Sequence, residues 1–167
     1  MSAHNIVSCS APEAIAALHG YCFNDAWDAR AISQILAMPG AFAFVGGGGA
    51  GPQGFILCRA AGGECEVITI GVAAKWRRRG LAGSLLDAAL AAAAKMGAGQ
   101  IFLEVAEDNE PARRFYQTKG FTEVGRRRNY YKRKSGTFVD ALVLRYEIIP
   151  VAVKNDSKKS SPFLRGS

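Results

Sequence analysis

Four cations, Lys75, Arg77, Arg78 and Arg79, stand immediately before Gly80-Leu81-Ala82-Gly83, at a junction where a strand gives way to a helix. Glu66 to Val72 alternates as a strand does, and Leu81, Leu85, Ala88, Ala92 and Met96 then recur at helical spacing up to Gly97. The start of a helix leaves amide hydrogens unpaired and carries the positive end of the helix dipole, and a glycine there lets a ligand approach the backbone. Together with the cations, this junction suits a pyrophosphate. A second chemistry-bearing residue is Glu104, a carboxylate in the middle of the apolar run Ile101-Phe102-Leu103-Glu104-Val105. Desolvation in such a strand raises a carboxyl pKa toward values useful to a general base working through water. A side chain that faces solvent or pairs with an arginine is the alternative.

The elements that must position these groups can be followed along the chain. Pro12 to Cys22 reads as a helix, Asn24 to Asp28 as a turn, and a second helix runs through Met38 until Pro39-Gly40 ends it. Ala41 to Val45 and Gly54 to Ala60 read as strands. Between them, Gly46 to Pro52 has the composition of a flexible hairpin tip; no Lys-Ser/Thr pair follows it, as a phosphate loop requires. After the second strand-helix unit, in which Asn109 caps a helix with Pro111 in its first turn and Gly120 at its end, Thr122 to Arg126 and Asp140 to Glu147 read as closing strands. Helices first, then an antiparallel meander, one crossover and closing strands predict an α/β fold. Its central mixed sheet is mostly antiparallel, with a parallel pair at the junction and helices on both faces. One domain is expected over residues 1–149, followed by a polar tail over 150–167.

Composition narrows the classes. A chain of 167 residues, 49% hydrophobic, suffices for one compact core, and no stretch is long and apolar enough to span a bilayer, so a soluble protein is expected. The first residues lack the order of a signal peptide, and the cysteines at 9, 22, 58 and 65 form no Cys-x-x-Cys pair, which predicts reduced thiols in a cytoplasm. With two histidines and no acidic cluster, no metal is expected.

The turn at Arg77 to Gly83 resembles the acyl-CoA-binding motif Arg/Gln-x-x-Gly-x-Gly/Ala of the GCN5-related N-acetyltransferase (GNAT) superfamily. Leu103-Glu104-Val105, Asn109, Tyr116 and Gly120-Phe121 follow in that family's order. Arg128-Asn129-Tyr130-Tyr131, Gly136 and Asp140-Ala141 extend the resemblance to its ribosomal-protein-alanine N-acetyltransferase branch, so that it runs from about Val67 to Leu144. The resemblance implies acetyl-CoA as co-substrate. It places Ile70, Gly71 and Val72 along the pantetheine, and Arg77, Arg78, Arg79, Gly80, Leu81, Ala82 and Gly83 at the pyrophosphate, with Asn109 and Tyr116 also beside the cofactor. It makes Glu104 the proton acceptor and Tyr116 the proton donor. Tyr116 lies one helical turn after Ala112, so its phenol can point toward the sulfur. On the acceptor side it places Trp27, Glu66, Tyr130 and Tyr131, with Glu66 next in line as a base.

The implied reaction is direct transfer of acetyl to a protein N-terminal α-amine, with a ribosomal protein as a candidate partner. An α-amine, with a pKa near 8 against about 10.4 for lysine, is far more often neutral at pH 7. A small-molecule amine or a protein lysine on the same fold remains open, as does a non-catalytic acyl-CoA-binding or RNA-associated module. A covalent route through His19 and Cys22, three residues apart on one helix, is a further alternative. The net charge of +7 and the block Arg126-Arg127-Arg128 with Lys132-Arg133-Lys134 would repel a basic ribosomal terminus. A solvated basic face is the simplest account of that block; direct nucleic-acid binding has no recognisable motif behind it.

Overall fold

The computed structural model describes residues 4–148; the expected tail lies outside them. The elements are β1 (Asn5–Ser8), α1 (Pro12–Cys22), α2 (Ala29–Leu36), β2 (Ala41–Gly48), β3 (Gly51–Ala61), β4 (Glu64–Val72), a 3-10 turn (Ala74–Trp76), α3 (Leu81–Lys95), β5 (Gln100–Ala106), α4 (Glu110–Thr118), β6 (Thr122–Lys132) and β7 (Phe138–Glu147). The strands form one seven-stranded sheet in the order β1-β2-β3-β4-β5-β7-β6. Every neighbouring pair is antiparallel except β4 and β5. α3 is the crossover that a parallel pair requires.

Both faces of the sheet are covered, and β3 shows how. Ile56 and Cys58 turn toward a core built with Leu81, Leu85, Leu86, Ala89 and Ala93 of α3 and with Tyr116 of α4. Phe55 and Leu57 turn the other way, toward Ile15 and Leu18 of α1 and Ile32 of α2. This is the two-residue period of a strand buried on both sides. α2 starts at Asp28, whose Oδ1 accepts from the Ala31 amide at 2.8 Å, and α1 starts with Pro12 in its first turn.

Two expectations change. β1 was not anticipated: its four residues pair with β2 from Asn5↔Gly47 to Ser8↔Phe44, too short a segment for its alternation to stand out. The glycine run forms the expected hairpin but is mostly strand: β2 runs to Gly48 and β3 starts at Gly51, so the tip shrinks to Gly49-Ala50. Gly46 and Gly47 lie within β2, and a Cβ on Gly46 would come within 2.4 Å of Ile6 Cδ1 and 2.9 Å of Leu81 Cδ1. Glycine is there because β1 and α3 crowd the sheet at that point.

Candidate active site

The parallel pair is short. β4 and β5 register only from Glu64↔Gln100 to Glu66↔Phe102. Beyond this β4 stays with β3 as far as Val72↔Gly54, while β5 stays with β7 as far as Ala106↔Ala141. The strands therefore splay, and between them opens a cleft of about 690 Å³ walled by Val67 to Ile70 on one side and Leu103 to Ala106 on the other. The edge of β4 that faces β5 loses its ladder partners along this stretch, and such backbone groups can take an extended ligand. Ile70 lines the cleft. The Val72 carbonyl accepts from Arg77 Nε at 3.0 Å. The end of α1 lies close against Gly71, where a Cβ would stand 2.9 Å from both Cys22 Sγ and Phe55.

Past β4 the chain turns through Ala74–Trp76 and reaches α3 by two left-handed residues, Arg78 (φ 61°) and Gly80 (φ 83°). Gly80 is the N-cap and brings no side-chain acceptor. The amides of Leu81, Ala82 and Gly83 thus open the helix uncapped, toward a groove of about 630 Å³ shared with Arg77, Arg78 and, across from α4, Arg114 and Phe115. A cradle of uncapped amides beside two guanidinium groups fits a pyrophosphate. The Arg79 side chain goes elsewhere: its guanidinium lies over the Trp76 ring, 4.8 Å from the centroid, and lines a separate hollow.

Glu104 lies at the cleft and at an adjoining hollow of about 310 Å³ on the α1/α2 side of the sheet, shared with Glu66, Phe102 and Arg127. Its neighbours Leu103 and Val105 face the α3/α4 core, so alternation turns Glu104 to the other face. There its carboxylate receives Arg127 Nε at 2.6 Å, with 24% of its side chain exposed. The expected desolvated carboxylate is thus corrected to an ion-paired one. Tyr116 is buried, 8% exposed, and lines the cleft. Burial, with a smaller contribution from Cys58, pushes its phenol up to about 12. Among the described residues nothing hydrogen-bonds its hydroxyl. Asn109 lines the cleft too, but its Oδ1 caps α4, accepting from the Ala112 amide at 3.3 Å. Gly120 follows α4 with φ 99°, as expected.

On the acceptor side the structure brings Tyr131 and Phe23 to the cleft. Tyr130 points away and is 52% exposed. Trp27 does not reach the cleft: it stacks on His19 with centroids 4.9 Å apart, and its amide donates to His19 Nδ1 at 3.1 Å. This uses His19 as a structural acceptor, and burial lowers its pKa. Burial raises the Cys22 thiol, the reverse of what a nucleophile needs, so the covalent route finds no support. All four cysteines are free. Among the described residues no group of three His, Cys, Asp or Glu could hold a metal ion, and no helix is long and apolar enough to cross a membrane.

The basic block is divided rather than uniform. Arg126 bridges Glu107 at 2.7 Å and Asp140 at 3.0 Å, Arg127 holds Glu104, and Arg133 grips Asp108 with two nitrogens, its Nε at 3.0 Å. Asp108 and Asp140 are held below the usual carboxylate range, chiefly by the Arg133 hydrogen bond for the first and by the Asn129 amide, then Arg126, for the second. The Asp108–Arg133 pair ties the β6–β7 hairpin to the loop after β5 at the rim of the cleft. Sequence reasoning missed these partners, although Glu107-Asp108 directly after an apolar strand is a signal that could have found them.

The sequence profile described as Acetyltransferase (GNAT) family matches residues 9–121. Over 69 residues the chain is 42% identical to N-alpha-acetyltransferase RimI of Mycobacterium tuberculosis, covering 41% of this chain and 42% of that protein. The crystal structure of the ribosomal-protein-S18-alanine N-acetyltransferase from Escherichia coli superposes with a TM-score of 0.81 at 23% identity, over 92% of this chain and 98% of that one. Arabidopsis thaliana NAA60 in complex with acetyl-CoA superposes with a TM-score of 0.73 at 18% identity, over 87% and 99%. At these identities the structural likeness speaks to the fold alone. The curated relatives matched are spanned over as little as 19% and as much as 62% of their lengths. With more than half of the chain matched by the profile, and with a sheet splayed beside an uncapped, glycine-led helix, the chain belongs to the acetyltransferase (GNAT) family.

Proposed function

We propose that this protein is an acetyl-CoA-dependent N-acetyltransferase that passes the acetyl group directly to the α-amine of a protein N-terminus, in the manner of the ribosomal-protein-alanine enzymes. The observation that carries the reading is a single continuous path. It runs from the uncapped α3 amides, along the free edge of β4, to a cleft lined by the Glu104 carboxylate and the buried Tyr116 phenol, with Tyr131 and the Arg133-paired Asp108 also on its wall. The relatives named for N-terminal acetylation, and the NAA60 structure that holds acetyl-CoA, support it.

Three roles follow for the chain's own residues. Arg77, Arg78 and the amides of Leu81 to Gly83 bind phosphates; Glu104 draws a proton from the attacking ammonium through water; Tyr116 donates a hydrogen bond to the sulfur, which departs as thiolate. Arg127 sits where the acceptor's ammonium must come to reach Glu104, so an acceptor displaces it. Phe23, Tyr131 and the Asp108–Arg133 pair form the rim against which the acceptor's first residues rest. A basic ribosomal terminus meets less repulsion than the composition suggests, because Arg126, Arg127 and Arg133 already face carboxylates. A cytoplasmic setting is part of the same proposal, in keeping with four free thiols.

The test is incubation with acetyl-CoA and a panel of peptides that differ only in their first residue, read by mass spectrometry. Acetylation of the α-amine of Ala-initiated peptides supports the reading. Acetylation confined to lysine side chains or to small amines would move the acceptor class, and absence of any turnover would leave a binding module.

A further inference from the structure

Strand β6 supplies the cleft with side chains only after an interruption. From Gly125↔Val143 to Arg127↔Ala141 it pairs with β7 without a break, and pairing resumes at Tyr131↔Val139. Three residues, Arg128, Asn129 and Tyr130, therefore stand opposite Asp140 alone, where a regular ladder holds one. Had the pairing run on, Val139 would face Asn129. The extra length changes which side chains reach the wall: Tyr131 takes the place of Asn129, and Arg133, two residues on, takes that of Tyr131. Both line the cleft, where Arg133 grips Asp108.

Asp140 holds this bulge from the other face of the sheet. Alternation puts it with Leu142 and Leu144, which belong to the α3/α4 core, whereas Val143 pairs with Glu104 and lies with it on the opposite face. The Asp140 Oδ1 accepts from the Asn129 amide at 2.9 Å and Oδ2 accepts from Arg126 at 3.0 Å. Its backbone carbonyl accepts from the Glu107 amide at 2.9 Å, which ties the same point to the loop after β5. Asn129 is left-handed, with φ 52°, a conformation that costs a non-glycine residue free energy and that the bond to Asp140 offsets. The Asn129 amide, then Arg126, holds the Asp140 carboxyl below its ordinary range, as bonds to the charged form do.

We propose that Asp140 is a positioning residue for the acceptor end of the cleft: by fixing the β6 bulge from behind, it sets Tyr131 and Arg133, rather than Asn129 and Tyr131, on the acceptor wall. This rests on the proposed function, in which that wall receives the acceptor, and adds a residue on the far face of the sheet from Glu104.

The test compares Asp140→Ala, which removes the acceptor for the Asn129 amide, with Asp140→Asn, which keeps an oxygen for it. With acetyl-CoA and an Ala-initiated peptide, Asp140→Ala should raise the peptide's Michaelis constant about tenfold or more, and Asp140→Asn should stay within about threefold of the unsubstituted protein. Coenzyme A affinity, read by calorimetry, should be unchanged in both. A second readout needs no acceptor. Burial first, then Glu104 and Tyr130, raises the Tyr131 phenol above its ordinary value, against Arg133 and Arg127, which lower it. Followed by NMR of ring-labelled tyrosine, that phenol should titrate nearer its ordinary value, about 10, in Asp140→Ala and keep its raised value in Asp140→Asn. If Asp140→Ala does not fold, Asp140→Glu, which keeps the charge for Arg126 but moves the oxygens by one methylene, takes its place with the same expected shifts. If the unsubstituted protein acetylates no peptide, the acceptor assignment fails and the Tyr131 titration alone decides on Asp140. The proposal is overturned if Asp140→Ala leaves the peptide's Michaelis constant or the Tyr131 titration unmoved, or if coenzyme A affinity falls in step with the peptide's. It is also overturned if Asp140→Asn is as damaging as Asp140→Ala, since the charge facing Arg126, and not the bond to the bulge, would then be the cause.

Discussion

A phenol enclosed as Tyr116 is keeps its proton at any pH where an enzyme works, and that restricts what it can do for a leaving thiolate. With its pKa pushed up to about 12 and a thiol near 8.5, complete proton transfer would be uphill by about 5 kcal/mol at 1.36 kcal/mol per pKa unit. In the proposed reaction the phenol's part is therefore to hydrogen-bond the developing charge while keeping its own proton. Tyr116→Phe is expected to lower turnover roughly ten- to a hundredfold with little change in the Michaelis constant for acetyl-CoA, measured by steady-state kinetics. Retention of full turnover would leave Tyr116 as a core residue. The same burial has a sign in stability: the native state holds the proton more tightly than the unfolded chain, so stability falls as pH rises from about 10 toward about 12. The loss, on the order of 2–3 kcal/mol, should be absent from Tyr116→Phe in denaturant titrations at those pH values. Glu104 could be read as chemistry from its place in an apolar run, but its partner could not. Arg127 comes from β6, whose pairing with β7 is irregular on both sides of it. The Arg127–Glu104 pair is 59% and 24% exposed, so it contributes at most about 1 kcal/mol. If an incoming ammonium must displace it, Arg127→Ala should lower the acceptor's Michaelis constant by up to roughly fivefold, with turnover changed less. A raised constant would make Arg127 part of the acceptor's binding surface instead.

At the scale of elements, the strand-turn-helix junction and both helices of the α1–α2 pair were legible because their signals are local: alternation, a Pro in the first turn, the polar turn ending at Asp28, Asn109 as a cap, Pro39-Gly40 as a stop. What was not legible depends on contacts between distant segments. β6 reaches Lys132 and β7 starts at Phe138, well beyond the short runs whose alternation shows, because the Asp140 carboxylate holds the Asn129 amide and Arg126 across the hairpin. The glycine run misleads for the same reason. Its composition signals flexibility, while its positions answer to β1 and α3 pressing on the sheet. Gly46→Ala would drive a methyl into Ile6 and Leu81 and should cost about 1–3 kcal/mol by overpacking. At Gly49, two residues past the buried pair, nothing lies within 4 Å of a Cβ, and Gly49→Ala should leave the denaturation midpoint nearly unchanged. Equal, small effects at both positions would restore the flexible tip.

For the molecule as a whole, the splay of β4 from β5 divides the functions of one sheet. One end of the opening meets the α3 cradle, the other meets the β6–β7 hairpin, and the cleft joins them. A ligand that lies along this path touches β4, α3 and α4 together, and should therefore stabilise the whole fold rather than a single loop. At a coenzyme A concentration a hundredfold above its dissociation constant, linkage gives about 2.7 kcal/mol. For a domain of this size that raises the thermal midpoint by roughly 5–10 °C. The side-chain placements then distinguish two arginines that sequence alone treats alike. Arg78 lines the groove proposed for the cofactor, whereas Arg79 does not and is stacked over Trp76 at the groove's edge. Arg78→Ala should remove a charge-assisted phosphate contact, weakening coenzyme A binding by about 1.5–3 kcal/mol and taking several degrees from the thermal shift. Arg79→Ala, with its backbone amide still in place, should remove much less. Calorimetry on both variants decides it. Were Arg79→Ala the more damaging of the two, the phosphates would have to lie on the Arg79 side of the turn, and the groove between α3 and α4 would lose its assignment.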